Sequence, residues 1–201
     1  RAMLSSAMSD GVTGVVGSTI ATGGRRQRSD GERSRAAILK AAAELATVEG
    51  LDGLSIGQLA DRIGMSKSGL YAHFGSKEEL QLATIEAAEQ VFEEDVVQRG
   101  LAEPPGRARL LALSDAFLSH IERRVFPGGC FFASVTAELK MRPGPVRDRV
   151  LQYQTEWLQL IERLVREAQD LGENDAEVDP AQITFEVSAS LLMAHSSFPL
   201  T

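Results

Sequence analysis

The chain has one cysteine, three histidines and few aromatic residues, 5% of its 201 positions, and it lacks any long apolar run. Each shortage excludes something. A single thiol cannot form an internal disulfide, so the fold must be held by its core, as suits a reducing compartment. No stretch approaches the ~18 consecutive apolar residues of a membrane-spanning helix, so no membrane partner is expected. His73, His120 and His195 are far apart, and neither H-x-x-x-H nor C-x-x-C spacing occurs, so no metal site is read. There is also no phosphate-binding glycine loop and no nucleophile elbow, which leaves no cofactor and no enzyme chemistry to expect. Acidic residues such as Glu93, Glu94 and Asp95 read as a solvated helix face.

What is present is a chain with 43% apolar residues, enough for a small domain and a larger one. The net charge is −7, but it is unevenly spread. Residues 25–80 carry nine basic and eight acidic side chains, whereas residues 81–201 carry eleven and nineteen. Six of the basic residues, Arg25, Arg26, Arg28, Arg33, Arg35 and Lys40, fall within 25–40. Such an arm suits a nucleic-acid backbone or minor groove, and equally a solvated tail. The Gly-, Ser- and Thr-rich stretch before it has neither a basic n-region nor a continuous apolar core, so it reads as a disordered leader and not a signal peptide.

Punctuation and periodicity then define short helices. In residues 33–50, Ile38, Leu39, Ala42, Leu45 and Ala46 make an apolar stripe that Gly50 would end. Ser55 to Gln58 has the form of a capping box and opens a stretch with Ile56, Leu59, Ala60 and Ile63 on one face. After Gly64-Met65-Ser66 a further helix puts Leu70 and Phe74 on one side and Ser68, Tyr71 and Ala72 on the other, with Ser66 at its N-cap. Ser76 and Glu79 form another capping box and launch a fourth helix. Two short helices joined by a tight glycine-containing turn make a helix-turn-helix, whose second helix can enter a DNA major groove.

The run from Ile38 to Leu80, including SIGQLADRIGMSKSGLYAHFGSKEEL, resembles the DNA-binding domain of the TetR family of bacterial transcriptional regulators over about a fifth of the chain. The resemblance implies an all-α protein, with an N-terminal three-helix helix-turn-helix DNA-binding domain followed by a larger helical ligand-binding and dimerisation domain. It implies a cytoplasmic homodimeric repressor, with double-stranded DNA carrying a palindromic operator as one partner and an unidentified small-molecule effector as the other. By the same resemblance Lys67, Ser68, Gly69, Tyr71 and Ala72 belong to the groove-facing helix, and Ser55, Ser66, His73 and Lys77 approach phosphates. Ala46 stands where the family commonly has Phe, which implies a slightly smaller core. A helical protein-interaction adaptor without DNA reading would share this fold.

The expected division is 1–30 leader and basic arm, 31–80 DNA-binding domain and 81–201 larger domain. Breakers at Pro104-Pro105-Gly106, Pro127-Gly128-Gly129, Pro143-Gly144-Pro145 and Gly172 to Pro180 divide the larger part into helices near 77–99, 107–125, 129–141, 145–171 and 181–197. The helix at 145–171 has two apolar stripes, one with Val150, Tyr153 and Trp157 and one with Leu151 and Leu158, so it should be central. A ligand site between helices would draw on Phe117, His120, Phe131, Phe132, Tyr153, Trp157 and Met193. His120 reads as a polar anchor for a ligand or as a hydrogen-bonded core histidine. Cys130 reads as a thiol activated by a helix N-terminus or, with Phe131 and Phe132 beside it, as a buried inert one. The final helix offers Ile183, Val187, Leu191 and Ala194, with small Ser188, Ala189 and Ser190 beside them, to a dimer interface. The family pairs through two such helices per subunit, so a domain lacking a final helix, and a weaker dimer, are expected.

Overall fold

The computed structural model describes residues 22–139 and 143–197, with side chains from Gly31 onward except at 137 and 139. Among the described residues all regular structure is helical. The chain divides into two units, residues 1–34 and 35–201. The described part of the first is the beginning of helix α1, Thr22–Glu49. The basic run Arg25 to Arg28, expected as an arm along DNA or a solvated tail, has a helical backbone. Arg and Gln are good helix formers, and a helix nucleated downstream extends by one hydrogen bond per added residue. Residues 1–21 of the leader and arm expected over 1–30 lie outside the described residues, as do residues 198–201.

Three short helices follow, each started by the serine that its sequence position assigned. The Ser55 hydroxyl accepts the Gln58 N–H at 3.1 Å and donates to the Gln58 side chain, opening α2, Ile56–Ile63. Gly64 adopts φ 68°, a left-handed cap that turns the chain within two residues. Ser66 accepts the Gly69 N–H and opens α3, Lys67–Phe74. Ser76 does the same for Glu79 at the head of α4, Lys77–Phe92. Ile38, Leu45, Leu54, Leu59, Leu70, Phe74 and Leu80 close over one another as the core of this head, and Ala46 is buried with them.

The rest is a helical bundle. A π-turn, Glu93–Val97, carries α4 into α5, Gln98–Leu101. α6, Arg107–Glu122, α7, Phe131–Leu139, α8, Pro145–Asp170, and α9, Pro180–Ser197, complete it. Helix α8 packs against α4, α6, α7 and α9, the central position that its two stripes require. The apolar core runs without a break from Ile38 in the head to Leu191 in α9. Ile183, Val187 and Leu191 pack inward onto that core, so the stripe expected at a dimer interface is largely an internal one. A second apolar face of α9, with Phe185, Leu192 and Met193, is the one left exposed.

Candidate functional site

Helix α3 presents its polar side outward because Leu70 and Phe74, four residues apart, fasten the opposite side. Lys67, Ser68, Tyr71 and Ala72 are exposed, and Gly69 and His73 are half-buried. Arg35 on α1 anchors the C-terminal end of α3: its guanidinium lies 4.5 Å over the Phe74 ring and donates to the His73 carbonyl at 3.1 Å. The residues expected to approach phosphate already have local tasks. Ser55 and Ser66 cap helices, and the Lys77 ammonium donates to the Asp52 carbonyl at 2.6 Å.

The turn between α1 and α2 is held from the bundle. Both oxygens of Glu138, at the end of α7, accept backbone N–H groups, from Leu51 and Asp52, at 2.8 Å each. Gln81 of α4 donates to the Leu51 carbonyl at 2.7 Å, so α4 and α7 both hold Leu51. At the other end of α7 the Gly128 N–H donates to Thr47 on α1, so closely that any side chain at 128 would collide with the α1 backbone.

A cavity of about 420 Å³ lies between α4, α6, α7, α8 and α9. Phe117, Phe132, Tyr153 and Trp157 line it, as do Cys130, Ala133 and Thr136 from the first turns of α7 and just before it. Three residues expected there are elsewhere. His120 is fully buried behind Phe92, with Nδ1 bonded to Asp95 at 2.7 Å. Phe131 faces Phe126 instead, because adjacent helical residues diverge by about 100°, so only one of two neighbouring phenylalanines can face the space. Met193 is 65% exposed, lying five positions and about 140° around α9 from Ser188 on the cavity side.

The cavity also uses residues that periodicity did not single out: Phe92, Gln154, Phe185 and Ser188. Phe92 sits on a regular α4 stripe and looks like any core residue in sequence. Ser188 and Ala189 were visible only as small residues on α9.

Two electrostatic arrangements flank the cavity. The π-turn aims Asp95 at α6, where it accepts from His120 and, at 2.5 Å, from Arg123. Burial would raise the Asp95 pKa, but the hydrogen bonds from Arg123 and His120 outweigh it and hold the carboxyl below its ordinary value. Burial lowers the His120 pKa, against the opposing pull of Asp95. On the other side Arg149 of α8 pairs with Glu89 of α4. Nearby Glu93 is raised, by burial first and then by Glu89. Cys130 is 2% exposed, and burial pushes its thiol up to about 11, which removes the activation that a helix start would give. Among the described residues no three His, Cys, Asp or Glu side chains converge on a metal position, and no helix is long and apolar enough to cross a membrane.

Residues 38–84 match the family model for bacterial regulatory proteins of the tetR family, and residues 106–201 match the tetracyclin repressor-like C-terminal domain. The HTH-type transcriptional activator FasR of Mycolicibacterium smegmatis is 35% identical over 102 residues, which are 50% of this chain and 47% of FasR. The chain thus aligns with about half the length of that relative. A TetR transcriptional regulator from Chloroflexus aurantiacus superposes with a TM-score of 0.78 at 28% identity, covering 86% of this chain and 87% of that one. AibR, solved with isovaleryl coenzyme A and operator DNA, superposes with a TM-score of 0.68 at 25% identity, over 81% of this chain and 86% of its own.

Proposed function

Because the chain belongs to the TetR family of transcriptional regulators, we propose that it is a homodimeric, sequence-specific repressor whose grip on operator DNA is released by a small molecule in the cavity. The observation that carries this reading is the shared use of α7. Phe132, Ala133 and Thr136 line the cavity, and Glu138, within two turns, holds the backbone that leads into the helix-turn-helix. A ligand that displaces α7 changes the grip on Leu51 and Asp52 and with it the setting of α2 and α3. Differential binding to two such settings is what links a ligand to DNA affinity.

On the DNA side, Lys67 suits a guanine edge, Ser68 a donor or acceptor, and the Ala72 methyl a thymine methyl. One short helix reads few base pairs, so two copies with half-sites about 34 Å apart are needed, and the operator is palindromic. The exposed apolar face formed by Leu158, Phe185, Leu192 and Met193 is where we place the second copy. This reading assigns the chain no catalytic step and locates it in the cytoplasm with its DNA.

Selection of binding sites from a random duplex pool tests the proposal directly. The expected result is a palindromic motif whose affinity falls steeply with added salt, as phosphate contacts release counterions. Enrichment of no sequence, with no salt-dependent DNA affinity, would instead support a helical adaptor that binds protein.

A further inference from the structure

The cavity specifies the kind of ligand it takes. Among the described residues no Asp, Glu, Lys, Arg or His lines it. The ion pair of Arg149 with Glu89 is made through Nη2 and leaves Arg149 Nη1 buried without a hydrogen-bond partner, but neither residue lines the cavity. A charged group brought inside would lose its water without gaining a partner, at a cost of several kcal/mol.

Aromatic rings alone can hold a cation when their faces surround an open space. Here the rings are engaged with one another: Phe92 makes edge-type contacts with Phe117, Phe132, Tyr153 and Trp157 at centroid distances of 5.2 to 6.2 Å, so part of their surface is already spent within the cluster. What remains is an apolar space walled by the stacked pairs Phe117 with Trp157 and Phe132 with Tyr153.

The walls also carry the polar side chains of Thr136, Tyr153, Gln154 and Ser188. Thr136 and Gln154 satisfy each other: the Gln154 amide donates to the Thr136 hydroxyl at 2.8 Å, which donates to the Phe132 carbonyl at 2.6 Å. Ser188 has no such arrangement. Its hydroxyl is buried without a hydrogen-bond partner, at the middle of the α9 stripe, from Phe185 to Leu192, that faces the cavity. A buried hydroxyl without a partner loses about 1–3 kcal/mol that a bonded one keeps.

The geometry points to an uncharged, largely apolar ring compound bearing one hydroxyl or carbonyl group, with that group bonded to the Ser188 hydroxyl. This inference rests on the cavity being the effector site and adds the chemical class of the effector.

Trp157 is the only tryptophan of the chain and stands in the cavity wall, so its fluorescence reports occupancy. The full chain is titrated with four matched probes: phenylcyclohexane, 4-phenylcyclohexanone, 4-phenylcyclohexanecarboxylate and trimethyl(4-phenylcyclohexyl)ammonium. The ketone is expected to bind at least about tenfold more tightly than either charged probe. Ser188→Ala should weaken the ketone by roughly two- to tenfold and leave phenylcyclohexane unchanged, as loss of one neutral hydrogen bond requires. Ala189→Phe, which fills the α9 side of the cavity, should remove binding of all probes, while a thermal melt confirms that each variant is folded. If a charged probe binds as well as the ketone, or Ser188→Ala leaves the ketone unaffected, the ligand class is wrong while the cavity remains the site. If no probe moves Trp157 fluorescence or the melting temperature, or binding survives Ala189→Phe, the cavity is not the effector site and both readings fall.

Discussion

The carboxylate of Glu138 accepts the backbone N–H of Leu51 at 2.8 Å, across 87 positions of sequence, and it closes on Gly50 so tightly that a Cβ there would lie 2.7 Å from it. Gly50 itself has φ +83°, which an L side chain rarely adopts. The turn into the helix-turn-helix is therefore shaped twice over, by its own backbone and by a residue of the bundle.

Gly50→Ala should destabilise the protein by about 1–2 kcal/mol from backbone strain alone, and by more with the collision against Glu138. In a Glu138→Ala background the collision is gone and only the backbone part should remain. Denaturant melts of the two single variants and the double variant form the cycle that separates the contributions. Strict additivity would mean that the two residues do not meet.

Glu138→Ala alone leaves two half-buried N–H groups without an acceptor, at about 1–3 kcal/mol. On the proposed mechanism it also disconnects the cavity from the head. Operator affinity measured with and without effector should then differ much less than for the unaltered chain. A variant that loses stability but keeps its full effector response would show that the signal travels by another route.

Lys67→Ala should cost roughly 1–3 kcal/mol of binding to the selected operator and relax preference at one base position if the ammonium meets a base edge. A uniform loss on cognate and scrambled duplexes, with a shallower salt dependence, would assign it to phosphate. Titrations of both duplexes at two salt concentrations distinguish these outcomes.

Burial lowers the His120 pKa, and His195 shifts the same way through burial, against its hydrogen bond to the Gly128 carbonyl. A histidine depressed on folding binds fewer protons in the folded than in the unfolded chain. Its contribution is fully present above the unfolded pKa of about 6.5 and is lost as pH falls through the folded value. Melting temperature should therefore drop on acidification below about pH 6.5, and His120→Asn should reduce that slope while lowering stability at neutral pH. Equal slopes would exclude His120 as the source.

With its thiol pushed up to about 11, Cys130 holds roughly a thousandth of its population as thiolate at pH 8. It should be inert to a thiol-specific disulfide reagent in the folded chain and react only after denaturant unfolds it. Rapid reaction of the folded chain would restore the reading of an activated thiol.

Much of this could be read from the sequence because it is local. Ser55, Ser66 and Ser76 each act on an N–H three residues away, and Gly64 sets its own φ, so the helices of the head start and stop where those residues stand. Leu70 and Phe74 share a face by helical period alone, and that leaves Lys67, Ser68, Tyr71 and Ala72 outward whatever the rest of the chain does.

The cavity and its link to the head depend on distance in space and could not be read this way. Phe132 and Phe131 are neighbours of the same type, and only the packing of α7 decides which one meets the cavity. His120 became a core residue because a π-turn far away in sequence supplies Asp95, and Phe92 fills the aromatic cluster because α4, α6, α7 and α8 converge on it. Helix α9 carries two apolar faces, and composition does not say which turns inward; contact with the core chose Ile183, Val187 and Leu191, left Met193 outside, and put Phe185, itself largely exposed, at the edge of the cavity. The sequence determined the helices and the reading face, since those follow from interactions within a turn or two. Which helix sides meet, and hence the cavity and the hold of Glu138 on Leu51, was decided only when residues distant along the chain packed together.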